Sequence, residues 1–177
     1  MEDKNNNLNE QADMPPSTLY LWRLRTLYVG YLDNGITFSA GAHTLLFGLE
    51  DDVLLEVSGE ICRARTLLLP AGVSFSADSQ GKQIACCFLD PLGRDYLFHQ
   101  RLMQWREPGF YSDSSLQGRQ LSVLKQAYRD SLDADEVYGQ LAGLLFPTAS
   151  TEVEGFRPDA RIARCLLYTS PSPRDDL

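Results

Sequence analysis

Histidine is nearly missing from this chain of 177 residues: His43 and His99 are the only two. Most histidine-based metal sites and most acid–base schemes fall with that scarcity. A cationic excess is also missing. Lysine and arginine number 16 against 24 aspartates and glutamates, a net charge of −8, which argues against a surface that grips a phosphate backbone. No apolar run approaches the ~20 residues of a membrane helix. The first residues, Met1 to Asp13, lack the apolar stretch of a secretory signal. Cysteine is sparse, and four thiols without such a leader fit a reducing cytoplasm. Gly30, Gly35, Gly41 and Gly48 are isolated and form no phosphate-binding loop. No serine lies in a nucleophile-elbow pattern. These absences predict a protein that is not an enzyme, with no catalytic residue, no metal, no cofactor and no membrane partner.

What is present suffices for a core: the chain is 44% hydrophobic and 23% charged. Residues 1–17 are polar, with Asn5-Asn6-Asn7 and Pro15-Pro16, and read as a disordered arm. Over residues 18–91 the texture becomes strand-length apolar runs broken by turn residues, which suggests a small antiparallel barrel or sandwich. Val53, Leu55 and Val57 alternate with Glu56 and Ser58, as one face of a half-buried strand does. After Pro91 the period shifts towards 3.6, and residues 92–147 read as helical. Arg94 to Trp105 forms one expected helix. Ser114-Ser115-Leu116-Gln117 and Asp133-Ala134-Asp135-Glu136 match capping boxes before two more. Leu121, Leu124, Tyr128, Leu141 and Leu144 lie on apolar stripes of that pair and are the candidate dimerisation residues. Packing onto the same chain's barrel is the competing use of those stripes, and both uses can hold on different faces. Residues 148–158 read as a linker.

The adjacent pair Cys86-Cys87 falls on a strand, so its side chains point to opposite faces and cannot easily share a metal or a disulfide. Trp22, Tyr28, Phe47, Phe75 and Phe88 are aromatics within the strands. They are core, or they line a small-molecule pocket inside the barrel. Trp22, His43, Phe47, Phe75 and Phe88 are the candidate ligand-binding residues.

The C-terminus has a separate character. Pro158 and Asp159 open a helix at Asp159-Ala160-Arg161-Ile162-Ala163-Arg164. Ser170-Pro171-Ser172-Pro173 stops it within a turn or two. Cys165 to Asp175 resembles a translated frame of a sequencing-library adapter. Residues 165–177 are therefore expected to be non-native, with the natural sequence continuing differently after Arg164. Removing that tail takes away one arginine and two aspartates and leaves a net charge of −7.

These parts together resemble an AraC-type transcriptional regulator. A polar arm, a barrel, a helical pair and Pro158 to Arg164 occur in that family's order. Asp159, Arg161 and Ile162 match the Asp-x-Arg-Ile pattern that opens the family's DNA-binding domain. Leu67-Leu68-Leu69-Pro70-Ala71-Gly72-Val73 resembles a cupin strand-turn, and Phe88-Leu89-Asp90-Pro91 the strand that exits towards the helices. The resemblance implies a mainly β fold with α: a cupin-like (RmlC-like jelly-roll) barrel followed by an antiparallel helical pair. It implies an effector-sensing and dimerisation region, with residues 159–164 starting a helix-turn-helix domain that is missing here. A small-molecule effector and a second copy are the implied partners, with DNA bound only through the missing domain. Ala40-Gly41 and Ser74 stand where many cupins carry metal-binding histidines, so the metal set of that fold is lacking. The alternative is a stand-alone, non-metal cupin-like ligand-binding or scaffold protein.

Overall fold

A computed structural model describes residues 17–32 and 36–147. The expected arm, linker, helix-turn-helix start and non-native tail lie outside the described residues, apart from Ser17. Eleven strands and three helices follow in the order β1 (Thr18–Leu21), β2 (Arg25–Gly30), β3 (Ile36–Ser39), β4 (His43–Gly48), β5 (Val53–Val57), β6 (Glu60–Ala64), β7 (Thr66–Leu69), β8 (Ser74–Asp78), β9 (Ile84–Leu89), α1 (Asp95–Leu102), β10 (Gln104–Arg106), β11 (Phe110–Ser112), α2 (Gln117–Arg129) and α3 (Ala134–Leu141). The fold is mainly β with a few helices. One sheet has seven strands, ordered β1-β2-β9-β4-β7-β11-β10, and the other has four, ordered β3-β8-β5-β6. Every strand pair in them is antiparallel. Among the described residues no strand pair joins the two sheets, so the expected barrel is present as two facing sheets.

Burial explains the strand sequences. β5 buries Val53, Leu55 and Val57 and exposes Glu56, the period of two visible in its sequence. β7 is buried at all four positions, and β9 at five of six. These strands lie in the middle layer of three. Leu46, Leu67, Leu69, Ile84 and Cys86 of the larger sheet meet Val53, Leu55, Val57, Phe75 and Ala77 of the smaller one. On the opposite face Leu27, Leu45, Phe47, Cys87 and Leu89 meet Leu121, Leu124, Val137, Leu141 and Phe146. A strand covered on both faces needs apolar residues at both parities, so its sequence reads as a solid run.

The helical layer differs from expectation in three places. The first expected helix stops at Leu102, and Trp105 lies on β10. The segment Glu107-Pro108-Gly109 turns the chain, and β11 pairs with β7 through Tyr111↔Leu68 and Ser112↔Leu67. The sheet therefore continues past residue 91. Ser114-Ser115-Leu116-Gln117 makes no capping box, because the Gln117 Oε1 accepts from the Thr66 hydroxyl at 3.0 Å instead. Asp133 does cap α3: its carboxylate accepts from the backbone of Asp135 and Glu136, and Glu136 reaches back to Asp133 N–H. That helix ends at Leu141 rather than running to Pro147, because Ala142 is extended and Gly143 takes φ 82°.

The stripes proposed for dimerisation are occupied within the chain. Leu121, Leu124 and Leu141 are buried under the outer face of the larger sheet, and Tyr128 packs against them. Leu144 is half-buried in the turn after α3. An amphipathic helix beside an apolar sheet face satisfies its stripe there first. Among the described residues no helix is long and apolar enough to cross a membrane.

Candidate ligand pocket

The larger sheet is wider than the smaller one that covers its inner face, and the candidate site lies where the cover ends. Register places Leu21, Thr26, Phe88, Thr44 and Leu69 in one row across that inner face. Leu19, Tyr28, Cys86, Leu46 and Leu67 form the next row. The row ends at β1 are uncovered: Leu19 is 57% exposed and Leu21 66%. Further in, Phe38 on β3 closes over Cys86 and Phe88. Between them is a cavity of ≈ 240 Å³ lined by Tyr28, Tyr31, Leu32, Phe38, Cys86 and Phe88.

Local hydrogen bonds fix these walls. The Tyr28 hydroxyl donates to the Tyr31 carbonyl at 2.9 Å and accepts from the Tyr31 N–H at 3.2 Å. Ser17 Oγ lies 3.0 Å from the same hydroxyl. The Tyr28 ring is thus pinned across Gly30, where a Cβ would collide with its hydroxyl. Leu32 is stapled to Ser79, whose hydroxyl accepts from its N–H at 3.2 Å and donates to its carbonyl at 3.0 Å. Phe38 stacks on Phe75 with ring centroids 5.2 Å apart.

The pocket carries no ionised wall. Burial pushes the Cys86 thiol up to about 12, so it stays a neutral, soft apolar surface. Outside the lining residues, on the same sheet face, lies the Thr44 hydroxyl. It is buried without a hydrogen-bond partner among the described residues, directly across from Phe88 on the same face. A buried hydroxyl left unpaired costs about 1–3 kcal/mol. Among the described residues no three His, Cys, Asp or Glu side chains gather to hold a metal ion.

The five residues expected to bind ligand do not converge. Phe88 lines the cavity and Phe75 stands behind Phe38. The other three face the helices, on the far side of the sheet. Trp22 donates its indole N–H to the Ala134 carbonyl at 2.9 Å and packs on Tyr138 and Phe146. Phe47 is fully buried in the helix-facing core. His43 stacks on Tyr96 at 3.9 Å, and its Nδ1 accepts the Ala71 N–H at 2.9 Å. Burial lowers the pKa of His43, against the smaller raising effects of its Pro91 backbone hydrogen bond and Asp90. Strand parity is the reason for this split. His43, Leu45 and Phe47 share the helix face of β4, whereas Thr44 and Leu46 face the other sheet. Because β4 is apolar at both parities, its sequence does not say which face holds the cavity. Tyr31, Leu32 and Phe38 lie beside turn residues; the pairing of β2 with β9 brings Tyr31 and Leu32 towards Cys86, and Phe38 comes from β3 of the facing sheet.

On the helix side a second polar cluster is buried. Arg25 Nε donates to Asp95 Oδ2 at 2.6 Å, and both side chains are almost fully buried. Arg25 Nη1 donates to the Tyr138 hydroxyl at 2.9 Å, and its guanidinium lies 4.9 Å from the centre of the Phe146 ring. Cys87, the neighbour of Cys86, lies in this layer as a free thiol, as the opposite-face reading of the pair requires.

No family model matches the chain, and no curated protein matches it. Solved structures do. A conserved protein of unknown function from Streptococcus pyogenes aligns at 21% identity over 48% of this chain and 80% of that one, with a TM-score of 0.39. A protein from Neisseria meningitidis aligns at 16% identity over 49% of this chain and 100% of its own length, at 0.39. An RmlC-like cupin from Shewanella frigidimarina aligns at 13% identity over 53% and 96%, at 0.37. Likeness at this level assigns neither a ligand nor an activity to the chain.

Proposed function

We propose that this chain is the effector-sensing region of an AraC-type regulator, built on a cupin-like sandwich, and that its effector is a small, uncharged molecule bearing one aromatic ring system. The observation that carries the ligand half is the ≈ 240 Å³ cavity walled by aromatic and aliphatic side chains and a neutral thiol. Its volume lies below the ~300 Å³ at which pockets for drug-sized ligands begin. The regulator half is supported by the resemblance of Pro158 to Arg164 to the entry of a DNA-binding domain. A homodimer of such a regulator would use a surface other than the stripes of α2 and α3, which are buried against the sheet. The competing reading, a free-standing ligand-binding or scaffold sandwich, uses the same pocket without DNA.

Two experiments test the two halves. Thermal unfolding is followed with indole, a neutral ring with one N–H, and with glucose as a non-aromatic comparison. At a hundredfold excess over Kd, indole adds about 2.7 kcal/mol, a rise in Tm of roughly 5–11 °C for a domain of this size. Phe88→Ala removes one wall and abolishes the rise. A shift with glucose alone, or an undiminished indole shift in Phe88→Ala, overturns the pocket assignment. Sequencing the genomic locus past codon 164 tests the regulator half. A frame continuing into about a hundred residues with two helix-turn-helix patterns supports it, and a stop after Leu177 removes it.

A further inference from the structure

The turn that follows α3 is gripped by two buried side chains from two different helices. His99 on α1 sits with Nε2 2.9 Å from the Leu145 carbonyl. Gln120 on α2 donates its Nε2 to the Leu144 carbonyl at 3.2 Å. Both side chains are fully buried. They hold successive carbonyls of a turn that is otherwise closed by the Leu144, Leu145 and Phe146 N–H groups on the Leu141 carbonyl, at 3.0, 2.8 and 3.4 Å. The turn seats Leu145 and Phe146, both fully buried, against the sheet. Phe146 there meets Trp22, Tyr138 and the Arg25 guanidinium.

A carbonyl only accepts, so His99 Nε2 must carry the hydrogen, and Nδ1 is the bare nitrogen. His99 Nδ1 is buried without a partner among the described residues, and so is Gln120 Oε1. Among the described residues, the groups packed around His99 offer an imidazolium no uncommitted counter-charge. Asp95, one turn earlier on α1, is already paired with Arg25 of β2. Tyr138 of α3 takes a hydrogen bond from that same arginine. Cys87 of β9, beside the ion pair, is kept a neutral thiol by burial. Gln120 of α2 is uncharged. A proton on His99 therefore adds an uncompensated positive charge to a site whose charges already balance.

We propose that the contact between His99 and Leu145 is an acid-released latch, in which protonation of His99 frees the Leu141–Phe146 turn from the sheet while the sandwich stays folded. The direction of the His99 pKa agrees: burial lowers it, and the Leu145 carbonyl and Asp95 raise it less. A histidine whose pKa is depressed when closed takes up its proton on opening. The closed form is fully favoured above the ordinary value of about 6.5. Below it, opening grows by up to about tenfold per pH unit until the closed form itself protonates.

Hydrogen exchange on the full chain at pH 7.5 and 5.5, corrected for intrinsic rates, tests this. The Leu145 and Phe146 amides are expected to lose about tenfold in protection at pH 5.5, with the strand amides of β4 and β9 unchanged. His99→Gln keeps an amide donor towards Leu145 and cannot titrate, so its protection should be the same at both pH values. His43→Gln removes the other histidine and should respond as the parent does. Loss spread evenly over the sheets, no loss at all, or the same loss in His99→Gln overturns the latch. Should His99→Gln fail to fold, the imidazole C2 proton of His99 in His43→Gln gives the second reading. A midpoint below 6.5 that moves together with the Leu145 amide supports the latch, and a midpoint at or above 6.5 overturns it.

Discussion

Asp95→Ala should cost about 3–5 kcal/mol, the usual penalty for removing one partner of a buried ion pair. Its carboxylate is the anion against Arg25 at 2.6 Å, with both side chains nearly inaccessible to water. The variant leaves a guanidinium in the layer between sheet and helices with the neutral Tyr138 hydroxyl and two ring faces around it. For a domain of this size each kcal/mol shifts Tm by roughly 2–4 °C, so a fall of roughly 6–20 °C is expected. Denaturant unfolding gives the same answer as a lower midpoint at constant slope. The double variant Arg25→Met/Asp95→Leu separates attraction from desolvation. Two apolar side chains of similar volume require no counter-charge, and such replacements are often neutral or stabilising by about 1–4 kcal/mol. Its stability is therefore expected to recover to near the parent's. An unchanged Asp95→Ala midpoint would mean that water reaches the pair. A double variant as unstable as the single one would mean that the pair contributes more by attraction than burial takes away.

The pair also shows where sequence reasoning stops. Arg25 lies in the run Leu19–Leu32 with no nearby acid of matching period, and Asp95 is 70 residues away. Nothing local marks either as buried, because the partner comes from tertiary packing. The same holds for β10 and β11: three-residue strands are too short for a period, and Trp105 fits a helix stripe as well as a strand. Where one face of a strand meets water, the pattern was legible, as in Val53, Leu55 and Val57. Where both faces are covered, as in β4, β7 and β9, the run announces a strand but hides its orientation. That is why Phe88 faces the cavity, whereas His43 and Phe47 on the neighbouring strand face the helices. The cap at Asp133 was readable because both halves of its reciprocal bond lie within four residues. The apolar stripes of α2 and α3 were readable as stripes, but a stripe does not carry the address of what covers it.

That ambiguity is open to direct test at Leu124. Its side chain is 1% exposed within the cluster that joins α2, α3 and the larger sheet. Leu124→Ala removes buried methyl groups and should cost about 2–5 kcal/mol, the spread depending on how far Val137 and Leu141 close the gap. Leu124→Asp puts a carboxylate into that apolar cluster, which is costlier still. It is expected to abolish the cooperative transition. Leu21→Asp, at a position 66% exposed, should change stability by less than about 0.5 kcal/mol. Sedimentation run beside the thermal melts distinguishes core from interface. If the stripe is core, Leu124→Ala lowers Tm at every protein concentration and leaves the association state of the remaining folded protein as it was. If the stripe is a dimer contact, Leu124→Ala dissociates the protein and its Tm becomes concentration-dependent. The first outcome is expected for Leu124, whose side chain is already buried against its own sheet; a second copy would have to meet another face of these helices.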